Sequence, residues 1–129
     1  MLAAAFLFLA AAQADVPEAA DAFRSRQDDL VLLARKLGSL HRLNQVCPSY
    51  DSMTLFRDRM QEVVEGEKPI RATREAMIEA FNLSYNETAR LYAACSSDAG
   101  AAMRREALEA LAVTERLSGE MSREPVLQP

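Results

Sequence analysis

The stretch LGSLHRLNQVC, residues 37–47, contains the single histidine of the chain and one of its two cysteines. Leu37, Leu40, Asn44 and Cys47 recur at steps of three and four residues, which places them on one face of a helix. The whole face consists of Leu30, Leu33, Leu37, Leu40, Asn44 and Cys47. This pattern predicts a core helix that ends near a cysteine, and it raises the question whether the histidine belongs to a site or to the core.

The remainder of the chain continues this helical pattern with short breaks. Two acidic residues beginning at Asp28 favour the start of the first helix, and Pro48 predicts its end. A second helix is expected to end at Gly66, a third to begin at Pro69 and a fourth to end at Gly119. Because the connections are short, successive helices should pack antiparallel. The predicted fold class is all-α, a small antiparallel bundle of three to four helices with one disulfide bond.

Composition supports this class and excludes others. The chain has 129 residues, which fits one small domain. Half of the residues are hydrophobic, yet only 6% are aromatic and none is Trp, so aliphatic side chains and Met must fill the core. The net charge of −4 argues against nucleic acid as a partner, because nucleic-acid binding needs a basic face.

The two cysteines are expected to form a disulfide bond. In an antiparallel bundle the first and third helices point the same way, and Cys47 and Cys95 both fall at the C-terminal ends of these helices. A redox-active pair is less favoured, because a helix C-terminus raises the pKa of a thiol. A metal site of His41 with both cysteines lacks a fourth ligand and a ligand-spacing motif. The sequence therefore predicts no metal and no cofactor.

The first 14 residues, MLAAAFLFLAAAQA, carry no charged side chain and are typical of a secretory signal peptide. The run is too short to span a bilayer as a helix, and it ends in a small-x-small cleavage pattern. Cleavage after Ala14 predicts export to a compartment where cysteines oxidise, with no transmembrane segment in the mature chain. The predicted organisation is a signal peptide (1–14), an N-terminal entry segment (15–27), a helical domain (28–119) and a flexible tail (120–129).

Several short motifs follow one another along the chain: LGSLHRL before a Cys, FRDRM, a Glu before an Arg pair, FNLSY and YAAC. Their order resembles a family of small exported alphaproteobacterial proteins of unknown function. The family pattern falls on Leu37, Gly38, Leu40, His41, Leu43, Cys47, Arg57, Met60, Glu67, Arg74, Phe81, Asn82, Tyr85, Tyr92 and Cys95. This sequence departs from the pattern at Phe56, where the family has Trp, and at Ser84, where it has Gly. The resemblance implies the periplasm of a Gram-negative cell, and it implies no activity.

The polar members of this pattern are the candidate binding residues. They are His41, Arg57, Glu67, Arg74, Asn82 and Tyr85. The arginines suit an anion or carboxylate clamp, because a guanidinium group favours bidentate contacts. The alternative is that the charges form a solvated face, while the histidine and the tyrosine belong to a hydrogen-bonded core network. No catalytic residue is predicted, because no nucleophile can be paired with the histidine from the sequence.

Three functions stay open at this point. The leading hypothesis is an exported non-enzymatic module of the bacterial cell envelope that binds a protein or cell-wall partner. The alternative is a periplasmic protein that binds a small ligand or anion with its Arg, Tyr and His side chains, and a hydrolase built on His41 and Glu67 comes third. A partner-binding module should expose an apolar patch, for example over residues 108–117. A ligand binder should bring Arg57, Arg74 and the tyrosine into one pocket, whereas an enzyme should hydrogen-bond the histidine to a carboxylate.

Overall fold

Four α-helices account for most of residues 15–122, the part of the chain that the computed structural model describes, and this part contains no strand. The helices are α1 (Asp15–Val46), α2 (Leu55–Glu67), α3 (Arg71–Leu91) and α4 (Ser97–Ser122). α1 lies at the centre, and each of the other three helices packs against it. The all-α bundle predicted from the sequence is confirmed.

The contacts between side chains fix the helix directions. Ser84 Oγ donates to the carbonyl oxygen of Arg35 at 2.6 Å, and Thr88 Oγ1 donates to Ser39 Oγ at 3.2 Å. Both pairs are 49 residues apart in the sequence, and a constant separation means that α3 runs parallel to α1.

α2 and α4 run in the opposite direction to α1. The N-terminal half of α1 meets the C-terminal end of α2 through the ion pair of Arg26 with Glu67. Likewise Asp29 of α1 pairs with Arg116 of α4 at 2.8 Å, and Lys36, further along α1, pairs with the earlier residue Glu106 at 3.2 Å. Successive helices are therefore antiparallel, as their short connections predict.

The predicted leucine-rich face of α1 forms the core. Leu30 and Leu40 are each 1% exposed, and Asn44 is fully buried. The buried apolar residues are Leu30, Leu33, Ala34, Leu37, Leu40, Leu43, Cys47, Phe56, Met60, Met77, Ala99, Ala102, Met103, Ala110, Val113 and Leu117. Within residues 15–122 none of the helices is long and apolar enough to cross a membrane.

Gly38 allows α1 and α3 to approach closely. A Cβ atom added at this glycine would lie 2.2 Å from the carbonyl oxygen of Phe81 and 2.3 Å from Oγ of Ser84. No Cβ atom can occupy such a position without moving the α3 backbone. Gly38 and the small side chain of Ser84 therefore set the spacing between the two helices.

Several helix boundaries differ from those expected. α1 begins at Asp15, so residues 15–27 are its first turns, and residues 17–25 are exposed. α2 does not stop at Gly66 but continues to Glu67, and Lys68 takes the left-handed conformation with φ of 46°. α4 continues past Gly119 to Ser122. The predicted signal peptide, residues 1–14, and residues 123–129 of the predicted tail lie outside the described residues.

The disulfide bond predicted from helix direction is present. Cys47 and Cys95 are joined, with their Cα atoms 5.0 Å apart. One detail of the prediction is wrong, since α3 ends at Leu91 and Cys95 lies in the connection to α4. Beside the disulfide bond, the buried Asn44 holds the connection from α1 to α2 in place. Its Nδ2 donates to the carbonyl oxygen of Ser52 at 3.0 Å, and its Oδ1 accepts from the Ser49 amide at 3.2 Å.

Candidate functional site: the groove between α2 and α3

α2 and α3 both pack on α1 and make little direct contact with each other, which leaves an open groove of about 510 Å³ between them. The groove is lined by Arg57, Met60, Gln61, Val64 and Glu65 of α2 and by Arg74, Ile78, Phe81 and Asn82 of α3. Its floor is apolar, because Met60 is buried and Val64 and Phe81 are half-buried. Three of the six predicted site residues, Arg57, Arg74 and Asn82, thus lie in one place.

The two arginines stand at opposite ends of the groove. α2 and α3 run antiparallel, so Arg57 near the start of α2 lies at the level of Asn82 near the end of the groove on α3. Arg74, at the start of α3, lies instead at the level of Glu65. The groove therefore has one end with a guanidinium and an amide, and another end with a guanidinium and a carboxylate.

The arginines of the groove are not engaged in salt bridges within residues 15–122, which distinguishes them from most other arginines of α2 and α3. Arg59 pairs with Glu62 at 2.7 Å and Arg71 pairs with Glu75 at 3.1 Å, whereas neither Arg57 nor Arg74 has such a partner. Both groove arginines are exposed. Their guanidinium groups are thus available to an incoming carboxylate.

His41 lies directly behind the floor of the groove. Its ring is 8% exposed and packs between two aromatic rings of α3, with its centroid 5.8 Å from that of Phe81 and 5.4 Å from that of Tyr85. Its Nε2 atom lies 3.4 Å from Nε2 of Gln45, and its buried Nδ1 atom has no hydrogen-bond partner among the described residues. The histidine therefore supports the groove from below and does not open into it.

Burial lowers the pKa of His41, because the charged imidazolium would lose its hydration, and the nearby Arg57 guanidinium lowers this pKa further. The Asp58 carboxylate acts in the opposite direction. No carboxylate in the described part of the chain hydrogen-bonds to the ring, and Asp58 instead accepts from Thr54 Oγ1 at 2.9 Å. The geometry expected of a hydrolase built on His41 and a carboxylate is thus not found in the described residues.

Tyr85 extends the polar network behind the groove. Its hydroxyl donates to Gln45 Oε1 at 2.6 Å, and the Arg42 guanidinium lies 5.8 Å from the centre of its ring. Tyr85 does not line the groove, so the expected convergence of this tyrosine with Arg57 and Arg74 in one pocket does not occur. Tyr85 instead belongs to a hydrogen-bonded network behind the groove, which is the alternative stated from the sequence.

Glu67 lies apart from the other candidates. It forms an ion pair with Arg26 of α1, in a part of the surface that α2 shares with α4. The carboxylate that does line the groove is Glu65, which accepts a hydrogen bond from Gln61 Nε2 at 3.2 Å. Among residues 15–122 no group of three or more His, Cys, Asp and Glu side chains is placed to hold a metal ion.

The comparison with known proteins adds one relationship. A family model described as "Protein of unknown function (DUF2385)" matches residues 26–121, well over half of the chain. The chain belongs to the DUF2385 family. No curated protein and no solved structure matches it.

The region matched by the DUF2385 model runs through all four helices and contains every wall of the groove. It also contains polar residues that the sequence did not single out as members of a site. Gln45 links His41 to Tyr85, and Ser84 spans α1 and α3. Gln45 lies one helical turn after His41, and Ser84 lies between Asn82 and Tyr85, but the face that each residue occupies could not be assigned without knowing how α1 and α3 cross.

Exposed apolar side chains lie on two other surfaces. On α3 and directly before it, Ile70, Ile78 and Leu83 are 45–53% exposed. On α4, Leu108 is 69% and Leu111 is 54% exposed, within the segment expected to form an apolar patch. Ile78 also forms part of the groove wall, so this exposed apolar surface is continuous with the groove.

Proposed function

We propose that this DUF2385 protein is an exported, non-enzymatic module of the bacterial cell envelope that binds a protein partner in the groove between α2 and α3. One observation carries the proposal. Two helices that pack mainly on α1 leave between them an apolar floor, flanked by arginines that have no salt bridge within the described residues. A groove of this kind suits a segment of another protein.

Export rests on two further observations. Residues 1–14 have the composition and cleavage pattern of a signal peptide, and the bond between Cys47 and Cys95 is of the kind that persists in oxidising compartments. The periplasm of an alphaproteobacterium is the setting that the motif order implies. Mass spectrometry of the protein purified from its own cells should find a mature N-terminus at Asp15, and a fractionation that leaves the full-length chain in the cytoplasm would contradict export.

A protein segment fits the groove better than a small ligand does. Small-molecule sites are usually enclosed enough to bury most of the ligand surface. Here Arg57, Gln61 and Ile78 are all exposed, so a bound small molecule would stay largely in water. The arginines at the rim still allow a free anion to bind, and the binding experiment therefore includes one.

A non-enzymatic role agrees with the geometry of the histidine. His41 is buried under Phe81, away from the surface of the groove, and its ring nitrogens meet an amide and an apolar environment. A general base must reach the proton it abstracts. We therefore assign His41 to the support of the groove floor.

The experiment is site-specific photocrosslinking in cells that produce the protein. A photoreactive residue replaces Gln61 in the groove or, as the matched control, Glu115 on the exposed side of α4. We expect a protein adduct from position 61 and none from position 115. The proposed protein binding is wrong if both positions give the same adducts. It is also wrong if neither position gives an adduct and free citrate protects the groove arginines from chemical modification.

A further inference from the structure

We infer that the segment bound in the groove is an amphipathic helix of about two turns, with a carboxylate at the end of the groove that Arg57 and Asn82 line. This inference rests on the proposed function and names the chemistry of the partner. It follows from three properties of the groove: its length, the scarcity of free backbone groups in its walls and the uneven distribution of its charges.

The length of the groove matches two turns of helix. Its wall on α2 runs from Arg57 to Glu65, and its wall on α3 runs from Arg74 to Asn82. Each wall therefore spans eight helical steps, or about 12 Å at a rise of 1.5 Å per residue. A partner helix places side chains on one face at positions i, i+3, i+4 and i+7, which extend over about 10 Å.

The walls of the groove favour a helix over an extended strand. A bound strand gains its affinity from hydrogen bonds to the free backbone groups of a sheet edge. Between residues 58 and 64 and between residues 74 and 82 the walls are continuous helix, whose backbone groups already bond within the helix or to its flanking residues. The groove offers a partner mainly side chains, and an apolar stripe packed over Met60, Val64, Ile78 and Phe81 meets that condition.

The charges of the groove are asymmetric. At one end Arg57 stands with the neutral amide of Asn82, while at the other end the charge of Arg74 is offset by the carboxylate of Glu65. Asp58 follows Arg57 in the sequence, but it accepts a hydrogen bond from Thr54 and does not line the groove. The local charge is therefore positive only at the Arg57 end.

A carboxylate is the group that fits the Arg57 end. The guanidinium group can donate two parallel hydrogen bonds to the oxygens of a carboxylate, and the side-chain amide of Asn82 can donate another. A partner helix should thus carry Asp or Glu at one end of its apolar stripe. The other end is close to neutral and should accept an uncharged or polar residue.

The test uses the crosslinked partner itself. Mass spectrometry of the adduct formed from position 61 identifies the bound segment, which is then made as a peptide, and its affinity for the whole oxidised protein is measured. We expect Arg57→Glu to weaken binding roughly 10- to 100-fold, because a hydrogen bond to a charged group is lost and like charges meet. Arg59→Glu makes the same change of charge on α2 outside the groove, and it should change affinity less than about threefold.

A charge exchange separates a direct contact from an indirect effect. Replacing the acidic residue of the peptide by Arg should weaken its binding to the wild-type protein and restore binding to Arg57→Glu. A captured segment with no Asp or Glu, or a peptide that binds Arg57→Glu as tightly as wild type, would overturn this inference and leave the proposed protein binding intact. A crosslink to a second copy of this chain would overturn both the assigned partner chemistry and the proposed function.

Discussion

Replacing Gly38 by Ala should destabilise the protein, although alanine is the better helix former. The new Cβ would lie 2.2 Å from the Phe81 carbonyl oxygen, which is backbone and cannot rotate away. To restore an ordinary contact, α1 and α3 must separate by about 1 Å or more. This separation also stretches the 2.6 Å hydrogen bond from Ser84 to the Arg35 carbonyl oxygen.

The expected size of the effect follows from opposing terms. Overpacking of a close interface costs about 1–3 kcal/mol, and the weakened hydrogen bond costs about 1 kcal/mol. The greater helix propensity of alanine offsets up to about 1 kcal/mol. We expect the free energy of unfolding to fall by about 2–3 kcal/mol, which lowers the melting temperature by roughly 10–20 °C for a domain of this size.

The matched control is Gly66→Ala in α2. An added Cβ at Gly66 meets no atom within 4 Å, and this glycine is helical, so the same substitution should raise stability by up to about 1 kcal/mol. Urea unfolding followed by circular dichroism, with the disulfide bond intact, measures both variants. If Gly38→Ala gained stability as Gly66→Ala does, the close approach of α1 and α3 would be wrong.

Four further outcomes are expected. Denatured, unreduced protein should contain no free thiol. The double Ser variant of Cys47 and Cys95 should lose about 4 kcal/mol of unfolding free energy in urea unfolding, which is the chain-entropy value for a loop of 48 residues. A stability equal to that of the wild type would show that this bond is not a main source of stability. Because burial holds the pKa of His41 below its value in the unfolded chain, the unfolded chain binds more protons than the folded chain between these two pKa values. The free energy of unfolding should therefore fall as the pH drops from 7.5 to 5.5. His41→Gln should remove the part of this pH dependence that comes from the histidine, and an unchanged pH dependence would contradict the burial of a neutral His41. Ser84→Ala should cost about 1 kcal/mol of unfolding free energy through loss of its bond to α1, whereas no loss in urea unfolding would show that this bond contributes nothing net. Lys68→Gly should gain about 1 kcal/mol by relieving the left-handed backbone, and a lower melting temperature would refute that reasoning.

The fold was predictable from the sequence because its signals are local and regular. The leucine stripe from Leu30 to Cys47 has a helical period, and short connections determine the direction of each following helix. These two facts place Cys47 and Cys95 at the same end, and the disulfide bond confirms that placement. The start of α1 at Asp15 was missed, because its first turns lie outside the core and therefore carry no strong apolar pattern.

The candidate site was predictable only in part. Arg57, Arg74, Asn82 and Glu67 can all be named from the order of motifs, but only the first three line the groove. The pairing of Glu67 with Arg26 depends on where the end of α2 meets α1, which no local pattern specifies. The groove itself was not predictable, because it results from the lack of close packing between two helices, and sequence periodicity reports only where apolar faces lie.

The packing of α2 mainly on α1 has a consequence for amide hydrogen exchange. A helix of 13 residues is marginal without tertiary support, and α2 has its main support from one neighbour, whereas the bond between Cys47 and Cys95 ties α1 to the connection that follows α3. The amides of α2 should therefore exchange through local opening, well before those of the centre of α1. Such an opening moves one wall of the groove and leaves the other in place, so the groove can widen for an incoming helix without unfolding the rest of the protein.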